Sequence, residues 1–93
     1  PKKPLFIGDI KELIKKNKEK KIAIICFGNK TFEGKDRLVF DLSKNKNLQE
    51  AAINLFKFLR LADESDADIV LCEEVPSTGL GHAINDRLKR AAG

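Results

Sequence analysis

The stretch that most limits how this chain can fold is Ile22-Ala-Ile-Ile-Cys-Phe27, six apolar residues in succession with no polar alternation. A strand with one wet face alternates apolar and polar side chains, so this run must be covered on both faces. An inner position in a parallel sheet, with helices above and below, meets that requirement. Gly28-Asn29 ends the run. A second apolar stretch, Ile69-Val-Leu-Cys72, has the same character, and Pro76, Gly79 and Gly81 interrupt it before a helical pattern begins.

The remaining elements fit around these two. Leu5-Phe-Ile7 reads as a short strand closed by Gly8, and Asp9 caps a helix from Ile10 to about Lys18 that places Ile10, Leu13 and Ile14 on one face. Leu38 to Leu42 reads as a third strand. Its connection, Asn29 to Asp36, is short for a parallel crossover, so an antiparallel hairpin is the alternative; the strand–helix alternation elsewhere favours parallel. Asn47 opens a long helix, with Glu50 completing a capping box, and Leu48, Ala51, Ala52, Leu55, Phe56, Phe58, Leu59 and Ala62 form its apolar face. The acidic run Asp63 to Asp68 ends that helix; it lacks the glycine and terminal Glu of a calcium loop and reads as a solvated turn. The fold class is therefore α/β, three layers around a mostly parallel sheet of about four strands. The expected strand order is third, second, first, fourth, which makes the first and fourth strands neighbours.

In the last unit Ser77 or Thr78 is placed to cap the helix, and Gly79 and Gly81 leave room for a backbone or an anion to approach. At 100° per residue Leu80, Ala83, Ile84, Leu88, Ala91 and Ala92 share an arc, and Arg87 falls inside it, whereas Asp86 and Arg90 form an exposed i,i+4 pair. A guanidinium turned toward an apolar surface needs a partner. Glu73 and Asp9, both at the carboxyl edge of the sheet, are the candidates, and breaking such a buried pair with Arg87→Ala is expected to cost about 3–5 kcal/mol. Glu73 and Glu74 are adjacent in a strand and face opposite ways, which disfavours a catalytic pair. The residues put forward for anion or nucleotide binding, or for contact with another domain, are Ser77, Thr78, Gly79, Gly81, Arg87, Asp9 and Glu73. No catalytic residue and no metal ligand is expected, since Cys26, Cys72 and the single histidine, His82, lack ligand spacing.

Ninety-three residues suffice for one small domain. The formal charge of +4 arises from fourteen lysines and four arginines against fourteen acids, and the six aromatics are all Phe. That composition argues against a nucleic-acid stripe, which interleaves arginines with aromatics. The lysine run Lys15 to Lys21 reads as a solvated helix end. Two cysteines in apolar strands fit buried thiols in a reducing, cytoplasmic setting, and no run approaches the roughly 20 apolar residues of a membrane span. There is no methionine, so a chain processed or excised from something longer is expected, with residues 1–4 the end of a linker and 5–93 one domain.

The closing motif, Glu73-x-x-Pro76-x-x-Gly79-Leu-Gly81-x-Ala-Ile-Asn-Asp-Arg-Leu-x-Arg-Ala-Ala92, preceded by Ala52-x-x-Leu-Phe-x-x-Leu-Arg60-x-x-Asp63, resembles the C-terminal domain of two-domain threonylcarbamoyl-AMP synthases. The likeness spans Pro4 to Gly93 and is specific in the last forty residues. It implies a Rossmann-like accessory or regulatory domain. In that family an N-terminal YrdC-like domain uses ATP (with magnesium), L-threonine and bicarbonate to make threonylcarbamoyl-adenylate, the donor for threonylcarbamoyladenosine in tRNA. The resemblance thus implies a YrdC-like partner domain, contact with tRNA only indirectly, no membrane, no cofactor in this domain, and no activity in the fragment by itself. The alternative is a stand-alone nucleotide- or anion-binding or signalling module. Gly-Leu-Gly-His-Ala-Ile lacks the third glycine of a dinucleotide fingerprint.

Overall fold

The computed structural model describes residues 2–34 and 37–93. These form four strands, β1 (Leu5–Ile7), β2 (Ile22–Cys26), β3 (Arg37–Asp41) and β4 (Ile69–Cys72), and three helices, α1 (Ile10–Lys16), α2 (Leu48–Glu64) and α3 (Leu80–Ala92). All strand pairs are parallel, in the order β1-β4-β2-β3. The period-two alternation of strand side chains divides the core into two layers. Ile22, Ile24, Cys26, Ile69 and Leu71 pack with Ile10 beneath α1. Ala23, Ile25, Val70 and Cys72 pack with Leu55, Ile84 and Leu88 beneath α2 and α3. Burying one such Ile or Leu contributes about 1.5–3 kcal/mol.

Every residue of β2 and of β4 is buried, as two unalternating apolar runs require. The strand order corrects the expected one. β1 and β4 are neighbours, but β4 lies between β1 and β2, which do not touch as a pair. The reason is coverage: β4 is apolar on both faces and takes an inner slot, whereas the three-residue β1, with Phe6 44% exposed, takes the edge. The chain passes from β1 by α1 over the β4 slot to β2, then returns from β3 by α2 over β2 to β4. Crossovers of one hand place their helices on opposite faces when the direction of travel reverses.

β3 is parallel to β2 and begins one residue earlier than expected. The intervening stretch of about ten residues can reach about 33 Å when extended, ample for the return along a five-residue strand. Two of those residues, Lys35 and Asp36, lie outside the described ones, as does Pro1 of the expected linker end. Asp9 caps α1 through the Glu12 N–H at 3.1 Å. The helix stops at Lys16 rather than near Lys18, where the Asn17 amide donates to the Leu13 carbonyl. Asn47 caps α2 through the Glu50 N–H at 2.9 Å, but Ser43 Oγ, not Glu50, accepts the Asn47 N–H.

In the acidic run Glu64, Asp66 and Asp68 are exposed, as a solvated turn requires, but two of its members accept backbone N–H groups. α2 continues through Asp63 and Glu64, and the Asp63 carboxylate accepts the N–H groups of Lys2 and Lys3 at 2.8 and 2.9 Å. Asp68 accepts the Lys21 N–H at 2.8 Å. Phe56 and Leu80, expected on apolar faces, are instead 60% and 45% exposed. Among the described residues no helix is long and apolar enough to cross a membrane.

Candidate functional site

In open α/β sheets ligands gather at the carboxyl edge of the strands, and the polar side chains there are disposed as follows. By strand alternation Cys26, Asp41 and Glu73 all point to the α1 side. The chain leaves β2 through Gly28 at φ 95° and Asn29 at φ 61°, a turn that aims successive N–H groups inward. Such a nest of amides is where a phosphate could sit. Here a carboxylate of the chain itself takes the place: Asp41 accepts from Asn29 N at 2.7 Å, from Ser43 N at 3.0 Å and from Gly28 N at 3.3 Å. Glu73 completes the closure, accepting the Phe27 N–H at 2.8 Å and pairing with Lys30 Nζ at 2.6 Å. An open cleft of about 390 Å³ remains beside them, lined by Asp9, Ile10, Lys11, Lys30, Thr31, Phe32 and Glu73.

The Cys26 thiol beneath this edge is pushed up to about 12 by burial, with Asp41 and Glu73 adding to the effect. Burial alone pushes Cys72 up to about 12. Both are protonated near neutral pH and are poor nucleophiles. ATP and magnesium, implied by the resemblance for a whole synthase, do not fit the described residues of this edge: the amides that would hold a phosphate already face Asp41, and Lys30 already faces Glu73.

The entry to α3 departs from the expected cap. Gly79 is the N-cap, with no side chain bonded to the helix start, and neither Ser77 nor Thr78 caps it. The loop is held instead by Asn85, 3% exposed, whose amide accepts the Val75 N–H at 2.8 Å and donates to the Val75 carbonyl at 2.7 Å and to Ser77 Oγ at 2.9 Å. A side chain that mimics a backbone edge in this way pairs both polar groups of a buried residue. Gly81 completes the junction, since a Cβ there would overlap the Pro76 carbonyl. Gly81 thus answers a close approach by the chain's own backbone. The sequence did carry a signal for Asn85: it is a weak helix former in the middle of a helix, next to the apolar arc.

Arg87 meets neither Glu73 nor Asp9. Those two lie on the α1 side of the sheet, and α3 packs on the other. The guanidinium stands 5.1 Å from the ring centroid of Phe56 and, among the described residues, forms no salt bridge. The two flank a furrow between α2 and α3. One part, about 340 Å³, is lined by Phe56, Leu59, Arg60, Asp63, Arg87 and Ala91. The other, about 240 Å³, shares Phe56 and Arg87 and reaches Leu80 and Arg90. The seven candidates therefore fall in three places: Asp9 and Glu73 in the edge cleft, Ser77, Thr78, Gly79 and Gly81 in the α3 entry loop, and Arg87 on the far face. Asp86 and Arg90 form the expected exposed pair at 3.0 Å, and Glu74 faces away from Glu73 toward Lys89 at 3.6 Å.

The architecture defines a small three-layer α/β/α domain on an all-parallel sheet. The model of the family described as threonylcarbamoyl-AMP synthase, C-terminal domain, matches residues 1–93, and the chain belongs to that family. The threonylcarbamoyl-AMP synthase of Pyrococcus abyssi is 41% identical over 86 residues, covering 90% of this chain and 24% of that protein. The Bacillus subtilis synthase is 40% identical over 50 residues, 54% of this chain and 14% of its own length. The chain thus spans about a quarter or less of these relatives. A crystal structure of P. abyssi Sua5 complexed with L-threonine superposes on the whole chain with a TM-score of 0.83 at 36% identity, covering 29% of that protein. The crystal structure of a C-terminal Sua5 domain from Pyrococcus horikoshii matches with a TM-score of 0.68 at 33% identity, over 96% of this chain and 92% of that one.

Proposed function

We propose that this domain is a non-catalytic accessory and regulatory module of a threonylcarbamoyl-AMP synthase, acting by contact with an N-terminal YrdC-like domain of the same protein. That domain would convert L-threonine, bicarbonate and ATP, with magnesium, into threonylcarbamoyl-adenylate for tRNA modification in the cytoplasm. On this reading residues 1–4 close the linker between the two domains, and tRNA is met only through the catalytic domain. The observation that carries the reading is the closed carboxyl edge: Asp41 and Glu73 occupy the loop amides and the lysine that a nucleotide site would need. The two strand thiols are protonated, and no nucleophile stands beside a base in the described structure.

The test is an assay of three samples: the isolated domain, the whole enzyme and the whole enzyme lacking residues 5–93. The isolated domain is expected to consume no ATP and form no adenylate, while its removal lowers the activity or thermal stability of the remainder. Turnover by the isolated domain that survives repeated purification and vanishes with a point mutation would overturn the reading.

A further inference from the structure

β3 closes one side of the sheet, and among the described residues no strand pairs with its outer flank. The ladder to β2 fixes which groups point outward. The Leu42 N–H bonds to the Cys26 carbonyl, and in a parallel ladder every second residue of a strand serves the same neighbour. Leu38 and Phe40 therefore bond toward β2, while Arg37, Val39 and Asp41 turn their N–H and C=O groups away from it. The side chains around this open edge are apolar and wet: Leu38 is 41% exposed and Val39 43%. Phe58 rests on Phe40 with ring centroids 5.5 Å apart, and Asn54 donates to the Leu42 carbonyl at 2.8 Å. At 100° per residue Leu61, 37% exposed, shares that flank of α2. A bare edge with apolar neighbours is a template for another strand.

The sequence Arg37-Leu-Val-Phe-Asp41 indicates which strand fits. Laid antiparallel to itself about a dyad at Val39, it sets Arg37 opposite Asp41 of the second copy, Leu38 opposite Phe40, and Val39 opposite Val39. Opposite charges and apolar pairs directly across an antiparallel ladder are the favourable ones. This register also sets every outward backbone group opposite another, for about six hydrogen bonds between the copies. A dyad at Leu38 or Phe40 gives about four and loses the match of Arg37 with Asp41. Among the described residues neither Arg37 nor Asp41 forms a salt bridge. In the single chain Arg37 turns back on its own loop, Nε donating to the Glu33 carbonyl at 2.9 Å. A dyad normal to the sheet keeps Arg37, Val39 and Asp41 of both copies on the α1 side, as an isologous contact requires.

We infer that two copies of this domain join through their β3 edges, with Val39 on the dyad, into one continuous sheet. The inference stands on that edge and does not rest on the accessory reading. In a whole synthase the same contact brings two catalytic domains into one particle.

The crystallised P. horikoshii domain shows that a relative of this unit stands alone. Sedimentation equilibrium should find monomer and dimer in balance near roughly 10–100 μM for the isolated domain and the whole enzyme alike, since an interface below about 1,200 Å² is of the weak class. Arg37→Asp sets like charges across both ends of the ladder, and Val39→Lys does so on the dyad. Each should raise that midpoint at least about tenfold, while Phe6→Ser on β1 and Ile53→Ser on α2 leave it unchanged. The register is read by oxidation, against the silent background of the fully buried Cys26 and Cys72. Val39→Cys places two thiols across a hydrogen-bonded pair with Cα atoms about 5.5 Å apart, within disulfide reach, and should give a covalent dimer. Leu38→Cys faces Phe40 rather than itself and should give none. If either charged variant melts early, the two cysteine variants decide. A chain that stays monomeric over that range, or a dimer indifferent to both charged variants, overturns the inference. So does a disulfide at Leu38→Cys in place of Val39→Cys, or a dimer lost with Ile53→Ser, which moves the contact to the helices. Dimerisation of the isolated domain alone would give the edge to the catalytic domain and overturn it equally. None of these outcomes touches the accessory reading.

Discussion

The carboxyl edge of the sheet and the α2–α3 face treat their exposed chemistry in opposite ways. At the edge, Asp41 and Glu73 satisfy the amides of Phe27, Gly28 and Asn29, and Asn85 pairs both backbone groups of Val75. Among the described residues no buried side-chain nitrogen or oxygen lacks a partner. On the helical face, Phe56 and Leu80 are left in water, and Arg87 stands over the Phe56 ring without a salt bridge among the described residues. The first arrangement pairs its polar groups within the chain, whereas the second leaves apolar surface and a guanidinium facing solvent. A parallel sheet with a glycine turn at its carboxyl edge is therefore not by itself evidence of a nucleotide site, because the same amides can be capped from within.

Substitutions on the two sides should separate accordingly. Asn85→Ala leaves the Val75 N–H and carbonyl buried without partners, at about 1–3 kcal/mol each, so the isolated domain should lose about 4 kcal/mol in urea unfolding. Gly81→Ala forces a Cβ onto the Pro76 carbonyl and should cost about 3 kcal/mol, the upper end for overpacking, with a matching fall in Tm. Glu73→Ala strands the Phe27 N–H and the Lys30 charge and should cost about 2 kcal/mol. Glu73→Gln, which can still accept from Phe27, should recover roughly half of that loss. Equal losses for the Gln and Ala changes would mean that the ion pair, not the capped amide, matters at that edge.

Arg87→Ala is the contrasting case. Seated on an exposed ring rather than in a buried pair, it should cost the isolated domain about 0.5–1 kcal/mol and not the 3–5 expected of a buried ion pair. A larger loss in thermal melts would show that the α2–α3 face is as self-contained as the edge. The effect confined to the narrowest range of conditions is on alkaline stability. Both thiols are raised from 9.0 to about 12, so the unfolded chain releases those protons first. The stability they contribute is whole below pH 9 and is lost as pH rises toward 12. A Cys26→Ala, Cys72→Ala variant should show a flatter decline in Tm over that window than the parent domain.

Much of the fold was legible because the signals were local. An unalternating apolar run placed β2 inside and marked β4 as a buried strand, and Asp9 and Asn47 marked two helix starts. The motif from Glu73 to Ala92 pointed to the family that the whole chain matches. What the sequence alone determined were thus the elements and their kinship, since each depends on neighbours within a few residues or on a run of matched positions, whereas the direction of the third strand was left open until its pairing with β2 was seen. Three things were decided only by tertiary structure. The inner slot went to β4 because burial on both faces is a competition among strands. The arginine of α3 went to Phe56 because Glu73 and Asp9 lie across the sheet. The edge amides went to Asp41 and Glu73 because residues 13 and 46 positions away meet them only when the sheet closes, and a capped amide is a property of distance in space that no local pattern encodes.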